Sequence, residues 1–416
     1  MWLFYNGVIY LMQLVFNIAA LVNPKAKKWI KGREKWRDQL LLSTQNWDGE
    51  HNRVWMHCAS LGEFEQGRPL LEKLRSTDPG LKIILTFFSP SGYEIRKNYP
   101  NADLVCYLPI DTTKNAKDFI RLSKPDVAIF VKYEFWFNYL KELKKAKTPH
   151  FLIAGVFRSE QHFFKPYGRW FRKALNGFTH FFVQDQTSAN LLQGIGVNAI
   201  TLAGDPRIDR VLAIAEQAPR FPEVEAFING RQVLVAGSTW PPDEDRLLPF
   251  IQAYLPEDWC LILAPHDIKS SHLASLENQI NSSYIKYSQL KLKPSNPQIL
   301  LIDNIGMLSS LYQYGKIAYI GGGFGQGIHN TLEPMAFQLP VLFGPKYGKF
   351  AEARFLEREK AGFTYQTKEE LKDYFFDLQN LSTYEKATGK IKTFLAQNAG
   401  ATDIIYRFGQ QNDYWS

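Results

Sequence analysis

The stretch Lys316–Phe350, KIAYIGGGFGQGIHNTLEPMAFQLPVLFGPKYGKF, decides the fold prediction for this chain. Lys316–Ile320 is an apolar run typical of a strand, and Thr331–Gln338 has the pattern of a short helix before a second strand, Pro340–Phe343. Five glycines lie between the first strand and the helix. Glycines this dense let backbone N–H groups approach a bulky anion, and a helix N-terminus adds partial positive charge. The stretch therefore predicts a cradle for a phosphate or nucleotide.

Five residues of this stretch are candidate ligands of a nucleotide. Gly322 and Gly323 would contact its phosphates, and His329 and Asn330 stand where the helix opens. Glu333, in the first turn, could accept hydrogen bonds from both hydroxyls of a ribose. The competing interpretation is that the glycines only form a tight turn and that Glu333 only complements the helix dipole. The stretch has no Lys-Ser/Thr pair of the P-loop type, which argues against a kinase or ATPase site.

Composition bounds the class of protein. With 416 residues there is room for two domains, and 45% hydrophobic residues can form large cores. The net charge of +8 favours acidic partners, namely nucleic acid, anionic lipid or phosphorylated substrates. Cys58, Cys106 and Cys260 are far apart and form no C-x-x-C pair. This spacing predicts a reducing compartment and argues against a disulfide framework or a zinc site.

The N-terminus predicts a membrane-anchor helix over residues 1–24. Residues 1–22 carry no charged side chain, and as a helix they would be about 33 Å long, enough to cross a bilayer. Their polar side chains fall on one helical stripe: Asn6, Tyr10, Gln13 and Asn17. Such a stripe favours a helix lying in the plane of the interface over one that spans. A cleaved signal peptide is disfavoured, because no basic residue precedes the apolar run.

Residues 25–50 are predicted to form a basic segment beside the membrane. The segment begins with seven basic residues: Lys25, Lys27, Lys28, Lys31, Arg33, Lys35 and Arg37. Basic residues next to a membrane segment place that flank in the cytoplasm, and each contributes about 1 kcal/mol near an anionic surface. A solvated charge run would explain the charges but not their position.

Residues 51–210 are predicted to form a first Rossmann-like domain, in which strands alternate with helices. The predicted strands are Val54–Ala59, Lys82–Thr86, Leu104–Tyr107, Val127–Val131, Phe151–Ala154 and His180–Val183. The alternation predicts an open, mostly parallel sheet with functional residues just past the carboxyl ends of its strands. Glu63 and Glu134 follow two of these strands. On spacing alone, Glu63 is equally well a general base or a first-turn acid.

Residues 211–230 have the composition of a linker, and residues 231–416 are predicted to form a second Rossmann-like domain. Its first strand, Gln232–Ala236, leads to Ser238 and Thr239. These two hydroxyls could donate to a phosphate of a donor nucleotide, or they could only cap the following helix.

The next strands of the second half lead to His266 and Gly306, which are further candidates for donor binding. Asp243 and Asp245 form a D-x-D pair of the kind that holds a metal in some glycosyltransferases. Acids directly after two prolines are, however, expected at a helix start because they complement the helix dipole. We therefore predict no metal site at this pair.

The quoted stretch resembles a known family. IGGGF…GIHNTLEPMAFQLPVLFGPKYGKF is similar to the signature of the 3-deoxy-D-manno-octulosonate (Kdo) transferases of lipopolysaccharide synthesis, in which a GGS-type loop precedes GGHNPLEP and GP-x-x-x-NF. The segment Ser60-Leu-Gly62-Glu63-Phe looks like the family's S-V-G-E segment. The segment that begins at Glu134, E-F-W-F-N, is similar to the end of the family's E-x-E-L-W-P-N block. Arg158 falls in a segment that resembles N-x-R-x-S.

The resemblance implies roles for these residues. Glu63 would be the general base and Glu134 a second catalytic carboxylate, while Ser60, Gly62 and Arg158 would bind the acceptor. The chain departs from the family pattern at five positions: Lys132, Phe137, Val156, His266 and Met307. At His266 the chain lacks the arginine that meets the nucleotide phosphates in the family. This role would pass to His266 itself or to a lysine.

The resemblance implies an α/β fold of GT-B type, with two Rossmann-like domains facing across a cleft and an N-terminal membrane-anchor helix. The donor would be CMP-Kdo and the acceptor a tetra-acylated disaccharide bisphosphate, the lipid A precursor. Transfer would invert the anomeric centre without a metal or other cofactor. The expected location is the cytoplasmic side of the bacterial inner membrane, with an anionic membrane surface and no nucleic acid as partner.

Two other functions remain open at this point. The chain could be a GT-B enzyme that uses a UDP-sugar, either a transferase or a 2-epimerase. It could also be a non-catalytic, membrane-tethered module that binds a nucleotide without turnover. A preference for cytidine or uridine nucleotides distinguishes the Kdo transferase from the UDP-sugar enzyme. The presence or absence of turnover distinguishes an enzyme from the non-catalytic module.

Overall fold

The computed structural model describes residues 2–47, 49, 51–292 and 297–415. These residues divide into two compact units. The first unit runs from the N-terminus to Asp209 and also includes the segment from Asn398 onward, and the second unit is Arg210–Gln397. Each unit is built on its own parallel sheet of seven strands. The predicted fold class, with two Rossmann-like α/β domains of GT-B type, is confirmed.

The sheet of the first unit has the strands β1 (Arg53–Cys58), β2 (Lys82–Phe87), β3 (Leu104–Tyr107), β4 (Val127–Val131), β5 (His150–Gly155), β6 (His180–Val183) and β7 (Ile200–Leu202). Their order is β3-β2-β1-β4-β5-β6-β7, and every pair is parallel. All five residues of β4 are buried, as expected of a central strand covered by helices on both faces. The strands predicted from the sequence agree with these to within a residue or two.

The helices of the first unit begin with three near the N-terminus, α1 (Trp2–Ala19), α2 (Pro24–Lys31) and α3 (Trp36–Thr44). The helices that follow the strands are α4 (Leu61–Thr77), α5 (Pro90–Arg96), α6 (Thr113–Ser123), α7 (Phe137–Ala146), α8 (Arg169–Leu175) and α9 (Gln186–Gln193). Two short 3-10 helices, His162–Phe164 and Pro166–Gly168, precede α8. Helix α10 (Pro206–Glu216) carries the chain from the first unit into the second.

The sheet of the second unit has the strands β8 (Gln232–Thr239), β9 (Trp259–Pro265), β10 (Tyr284–Lys286), β11 (Ile299–Leu301), β12 (Ile317–Ile320), β13 (Val341–Phe343) and β14 (Gly362–Thr364). Their order is β10-β11-β9-β8-β12-β13-β14. The helices are α11 (Pro222–Ile228), α12 (Pro241–Tyr254), α13 (Ser270–Gln279), α14 (Leu308–Leu311), α15 (Leu332–Ala336), α16 (Ala351–Arg358), α17 (Lys368–Asp377) and α18 (Leu381–Asn398). Further 3-10 helices lie at Tyr287–Leu292 and Tyr312–Tyr314.

The C-terminal helix α19 (Ala401–Gln411) belongs to the first unit, whereas the sequence assigns it to the second domain. Asp209 fixes its start, because its carboxylate accepts hydrogen bonds from Gly400 N and Thr402 N, both at 2.6 Å. Apolar residues of the tail, among them Ile405 and Trp415, are buried in one of the first unit's hydrophobic clusters. These contacts lie far from the helix in sequence, so its own pattern does not predict them.

Helix α1 packs on the first unit along one face, here called the docked face. The Tyr5 hydroxyl donates to Asp111 Oδ2 at 2.5 Å, and Ile9 is buried against Trp29 and Ile110. The other side chains of the docked face are half-buried: Trp2, Met12 and Phe16. The sequence does not predict this face, because an apolar side chain that meets protein looks the same in sequence as one that meets lipid.

The opposite side of α1, here called the outer face, is apolar and exposed. Its residues include Leu3, Phe4, Val8, Leu11, Leu14, Val15 and Ile18. The predicted polar stripe separates the two faces, since Asn6 and Gln13 are half-buried while Tyr10 and Asn17 are exposed. By length and composition α1 could cross a membrane.

The basic segment after α1 differs in part from the prediction. Arg33 is packed inside the first unit, where its guanidinium donates to the backbone carbonyls of Leu108, Trp29 and Phe88. Arg37 donates to Asp118 at 2.7 Å. Five of the seven basic residues remain exposed: Lys25, Lys27, Lys28, Lys31 and Lys35. These five are the basic residues of the segment that are free of the packing seen for Arg33 and remain exposed to meet an anionic surface.

Candidate active site

Adjacent strands of the first unit bring the acceptor-side candidates to one edge of the sheet. β1 pairs with β4 and β4 pairs with β5, all in parallel, so Glu63, Glu134 and Arg158 follow the carboxyl ends of neighbouring strands. Burial raises the pKa of the Cys58 thiol well above its usual range, and both Glu63 and Glu134 add to the rise. Burial also raises the pKa of Tyr133, which Arg158 opposes. Glu63 and Glu134 thus both act electrostatically on Cys58, the last residue of β1.

Glu63 lies in the first turn of α4 and closes a capping box. Its Oε2 accepts hydrogen bonds from Ser60 N at 2.6 Å and from Ser60 Oγ at 2.8 Å. Its Oε1 has no hydrogen-bond partner among the described residues. Gly62, beside it, is exposed. One oxygen thus fixes the carboxylate on the helix start while the other is left for a further ligand, which is compatible with both readings of Glu63.

Glu134 is held by two ring nitrogens. Trp136 Nε1 donates to Glu134 Oε2 at 2.6 Å, and His57 Nε2 lies 3.3 Å from the same oxygen. His57 is fully buried, and its Nδ1 lies 2.8 Å from Thr86 Oγ1. Trp55 Nε1 donates to that hydroxyl oxygen at 2.8 Å, and the hydroxyl lies 3.5 Å from the carbonyl oxygen of Met56. Trp136 Nε1 also lies 3.2 Å from His57 Nε2, so the indole N–H is shared between this ring nitrogen and Glu134 Oε2.

The residues that orient Glu134 were not singled out in the sequence. His57 and Thr86 are polar residues inside otherwise apolar strands, and they are register partners between β1 and β2. Buried polar groups need hydrogen-bond partners, so a polar pair in two adjacent buried strands was a usable signal. Trp136 gave no such signal, because an aromatic residue after a strand is usually part of a core.

In the second unit, four neighbouring strands bring the donor-side candidates to one edge. β11, β9, β8 and β12 are consecutive in the sheet, so Gly306, His266, Ser238 and Gly322 lie at their carboxyl ends. Gly306 is exposed with a φ of 97°, a left-handed conformation that favours glycine. The structure thus brings the predicted donor residues together at a position where ligands bind in open α/β sheets.

The glycine loop after β12 differs from the predicted cradle. Gly322 N donates to Asp243 Oδ2 at 2.8 Å, and Gly325 N and Gly327 N donate to the Gly322 carbonyl at 2.9 and 3.1 Å. The prediction that these N–H groups face a bound anion is wrong. A buried carboxylate of the protein itself, that of Asp243, is bound by the loop instead.

The tight packing of the loop explains why it is rich in glycine. A Cβ at Gly321 would overlap the backbone of Ser238 and Thr239, and a Cβ at Gly323 would overlap the backbone of Gly344. The glycines therefore allow the loop to pack against the adjacent strand ends.

Two buried acids at the start of α12 accept hydrogen bonds from residues at this edge of the sheet. Asp243 is fully buried and accepts from Trp240 N at 3.0 Å as well as from the glycine loop. Glu244, 1% exposed, accepts from Thr239 Oγ1 at 2.9 Å and lies 3.0 Å from His272 Nε2. The predicted phosphate contact of Thr239 needs correction, because its hydroxyl is buried and bonded to Glu244.

Trp240, His266 and His329 form a stack beside the loop. The rings of Trp240 and His266 are 4.6 Å apart, and those of His266 and His329 are 4.4 Å apart. Trp240 Nε1 donates to His329 Nε2 at 2.9 Å, so His329 is a neutral ring with its proton on Nδ1. Burial, followed by the neighbouring His266, lowers the pKa of His329 to about 4. His329 can therefore donate a hydrogen bond to a ligand at neutral pH but brings no charge.

Acidification is expected to weaken the folded state through His329. Its folded pKa lies below the ordinary value of about 6.5, so the unfolded chain binds the proton more readily between about pH 4 and 6.5. The contribution of His329 to the free energy of unfolding is fully present above that pH window and is lost as the pH falls through it. The fall in thermal midpoint between pH 7 and pH 5 should be smaller in His329→Gln than in the natural protein. The exposed His162→Gln is the matched control, and an equal pH response in all three proteins would contradict the assignment.

Glu333 lies in a shorter helix than predicted. α15 spans five residues rather than the eight of the predicted segment. Asn330 Nδ2 donates to Glu333 Oε1 at 3.1 Å, and Asn330 Oδ1 accepts from Leu332 N at 3.0 Å. Asn330 thus caps the turn and orients the carboxylate. A helix of about one turn has few aligned peptide dipoles and therefore only a weak dipole. At α15 we expect the Glu333 carboxylate to contribute more to ligand binding than the helix dipole does.

Comparison with known proteins finds similarity to one group of enzymes. A family model described as 3-deoxy-D-manno-octulosonic-acid transferase (kdotransferase) matches residues 34–210. The chain is 25% identical over 356 residues to a 3-deoxy-D-manno-octulosonic acid transferase of Rickettsia prowazekii, covering 83% of this chain and 75% of that protein. It is also 25% identical over 419 residues to a transferase of the same name from Chlamydia pneumoniae, covering 96% and 92%.

A solved structure supports the fold independently. The UDP-GlcNAc 2-epimerase of Neisseria meningitidis has a TM-score of 0.59 at 15% identity, over 85% of this chain and 98% of that one. The fold of the chain is therefore of GT-B type. The family model and the relatives that span most of the chain agree with each other: over these lengths the chain is similar to Kdo transferases.

Proposed function

We propose that the protein moves Kdo from CMP-Kdo to a lipid A precursor, with inversion and without a metal. The family and the relatives, which are named as Kdo transferases, support the sugar and its donor. The observation that carries the proposal is the pair of carboxylates, Glu63 and Glu134, at one sheet edge. Each is fixed through its Oε2 and has an Oε1 without a hydrogen-bond partner among the described residues.

Glu63 acts as the general base in this proposal. Its Oε1 takes the proton from the acceptor hydroxyl as that oxygen attacks the anomeric carbon of Kdo, and the bond from this carbon to the CMP phosphate oxygen breaks. The electron pair of that bond leaves with CMP. A positioned base of this kind contributes about 10² to 10⁴ in rate. Glu134 and Arg158 hold the acceptor, the latter through a phosphate.

The second unit binds the CMP part of the donor. Glu333 accepts from the ribose hydroxyls, and His329 donates through Nδ1. The exposed His266 and the half-buried Ser238 meet the phosphate. The glycine loop acts indirectly, since its N–H groups hold the start of α12 in place. Gly322 and Gly323 are thus structural supports of the site in this proposal.

The decisive experiment is incubation with a lipid A precursor and CMP-Kdo made in situ, followed by mass spectrometry. The proposal expects a product heavier by one or more Kdo units. Turnover of UDP-GlcNAc instead would favour the epimerase-like alternative, which the structural similarity to a UDP-GlcNAc 2-epimerase keeps worth testing. Binding of CMP without any product would favour a non-catalytic module.

Replacement of Glu333 by Ala should weaken CMP binding. The ribose hydroxyls lose a charge-assisted acceptor of about 1.5–3 kcal/mol, which corresponds to roughly ten- to 150-fold in Kd. Calorimetry with CMP measures this directly. Asn330→Ala is the control, because it removes the side chain that orients Glu333 but leaves the carboxylate. Unchanged affinity in a folded Glu333→Ala protein would assign Glu333 to helix capping alone.

The anchor is proposed to lie in the plane of the cytoplasmic leaflet of the inner membrane. A helix covered by protein along its docked face cannot be surrounded by lipid, whereas its apolar outer face can be buried in a bilayer. The five exposed lysines of the following segment are close in sequence to that face and would meet anionic headgroups.

A further inference from the structure

The segment that carries Glu134 is built against the anchor helix. Glu134–Tyr139 runs from the connection after β4 into the first turn of α7. Its Trp136 both donates to Glu134 and packs in the apolar cluster of Ile9, Trp29 and Ile110. The docked face of α1 thus reaches the ring that holds the carboxylate.

Aromatic contacts continue this cluster from α1 to Trp136. Phe16 of α1 stacks on Trp29 at 4.1 Å, Trp29 contacts Phe88 at 5.5 Å, and Phe88 contacts Trp136 at 4.8 Å between ring centroids. Protein interiors are close-packed, so a shift of α1 has to be accommodated by these rings.

A second, polar connection holds the other end of the same segment. Asp111 is fully buried and accepts from Tyr5 of α1 at 2.5 Å and from Asn138 N and Tyr139 N, both at 3.0 Å. Asn138 Nδ2 also donates to Asn6 of α1 at 3.1 Å. The residues just before and just after the start of α7 are therefore tied to α1 by independent contacts.

We propose that α1 is a positioning element of the active site, which holds Glu134 in its working orientation through Trp136 and the Tyr5–Asp111–Asn138 contacts. The inference rests on the proposed function, in which Glu134 acts at the acceptor. It assigns separate tasks to the two faces of one helix. The outer face meets lipid, and the docked face shapes the site, so Tyr5 is a positioning residue for the transfer reaction.

The test removes one hydroxyl from the docked face. Tyr5→Phe should lower kcat about tenfold with a detergent-dispersed acceptor, because small misplacements of a reacting group are costly. The KM for CMP-Kdo should not change. Tyr10→Phe is the matched control, because it removes the same hydroxyl group from the same helix at a residue that is 57% exposed. Trp136→Phe, which keeps an apolar ring but loses Nε1–H, should lower kcat by a similar factor.

A double-mutant cycle separates positioning from general damage to the fold. In a Glu134→Gln background, Tyr5→Phe should lower kcat less than about twofold, because effects that act through one group are not additive. If Tyr5→Phe costs the same factor in both backgrounds, or costs nothing in either, the inference is overturned while the proposed function stands. If Glu134→Gln itself leaves kcat unchanged, the role of Glu134 in the proposed function fails and the inference fails with it.

Discussion

Glu63→Gln is expected to lower kcat by about 10² or more while CMP binding and thermal stability stay nearly unchanged. Glutamine keeps an oxygen that can accept from Ser60 N, so the capping box on α4 is largely preserved. The amide cannot take a proton from the acceptor hydroxyl. If Glu63 were only a helix-start acid, the same change would cost a few tenths of a kcal/mol of stability, about the size of the dipole effect, and turnover would persist.

Glu134→Gln is the control for this comparison, because both carboxylates follow neighbouring strands and each has one oxygen fixed. The expected result is a loss of kcat in both variants, larger for Glu63. Loss of transfer in Glu134→Gln together with normal turnover in Glu63→Gln would reverse the assignment of the base. Normal turnover in both would refute general-base catalysis by either carboxylate.

The fold could be predicted from local patterns, because buried parallel strands are short apolar runs that alternate with helices. β4, VAIFV, is an example of a segment whose burial follows from its composition. The position of α19 could not be predicted in this way. Its place is set by Asp209, which is 191 residues before Gly400 in the chain.

The candidate site was predictable where a residue follows a strand, and less so where partners decide its role. Strand ends located Glu63, Glu134 and His266 correctly at sheet edges. The glycine loop was misjudged because the sequence does not reveal that a buried acid, Asp243, accepts from its backbone. The ring nitrogens around Glu134 come from separate elements, so only the folded chain brings them together.

Removal of residues 1–22 is expected to lower both the thermal stability and kcat. If α1 were only an anchor, as its sequence pattern indicates, the shortened chain would be more soluble and would still turn over. The docked face covers Trp29 and Ile110, which are 2% and 5% exposed. Re-exposing a large apolar side chain costs about 1.5–3 kcal/mol each, so the shortened chain should lose several kcal/mol. It should also lose the Tyr5 donor to the buried Asp111.

Two measurements on the shortened chain separate anchoring from positioning. Thermal unfolding reports the lost packing, and kcat with a detergent-dispersed acceptor, measured well below the midpoint, reports the site. A chain starting near Arg33 should be worse than one starting at Asn23, because it also lacks Trp29, on which the Arg33 guanidinium lies at 3.8 Å. Full kcat and an unchanged midpoint after removal of residues 1–22 would mean that α1 is an anchor and nothing more. Addition of a synthetic peptide of residues 1–22 should restore part of the lost kcat, since the docked face is complementary to the surface that it leaves.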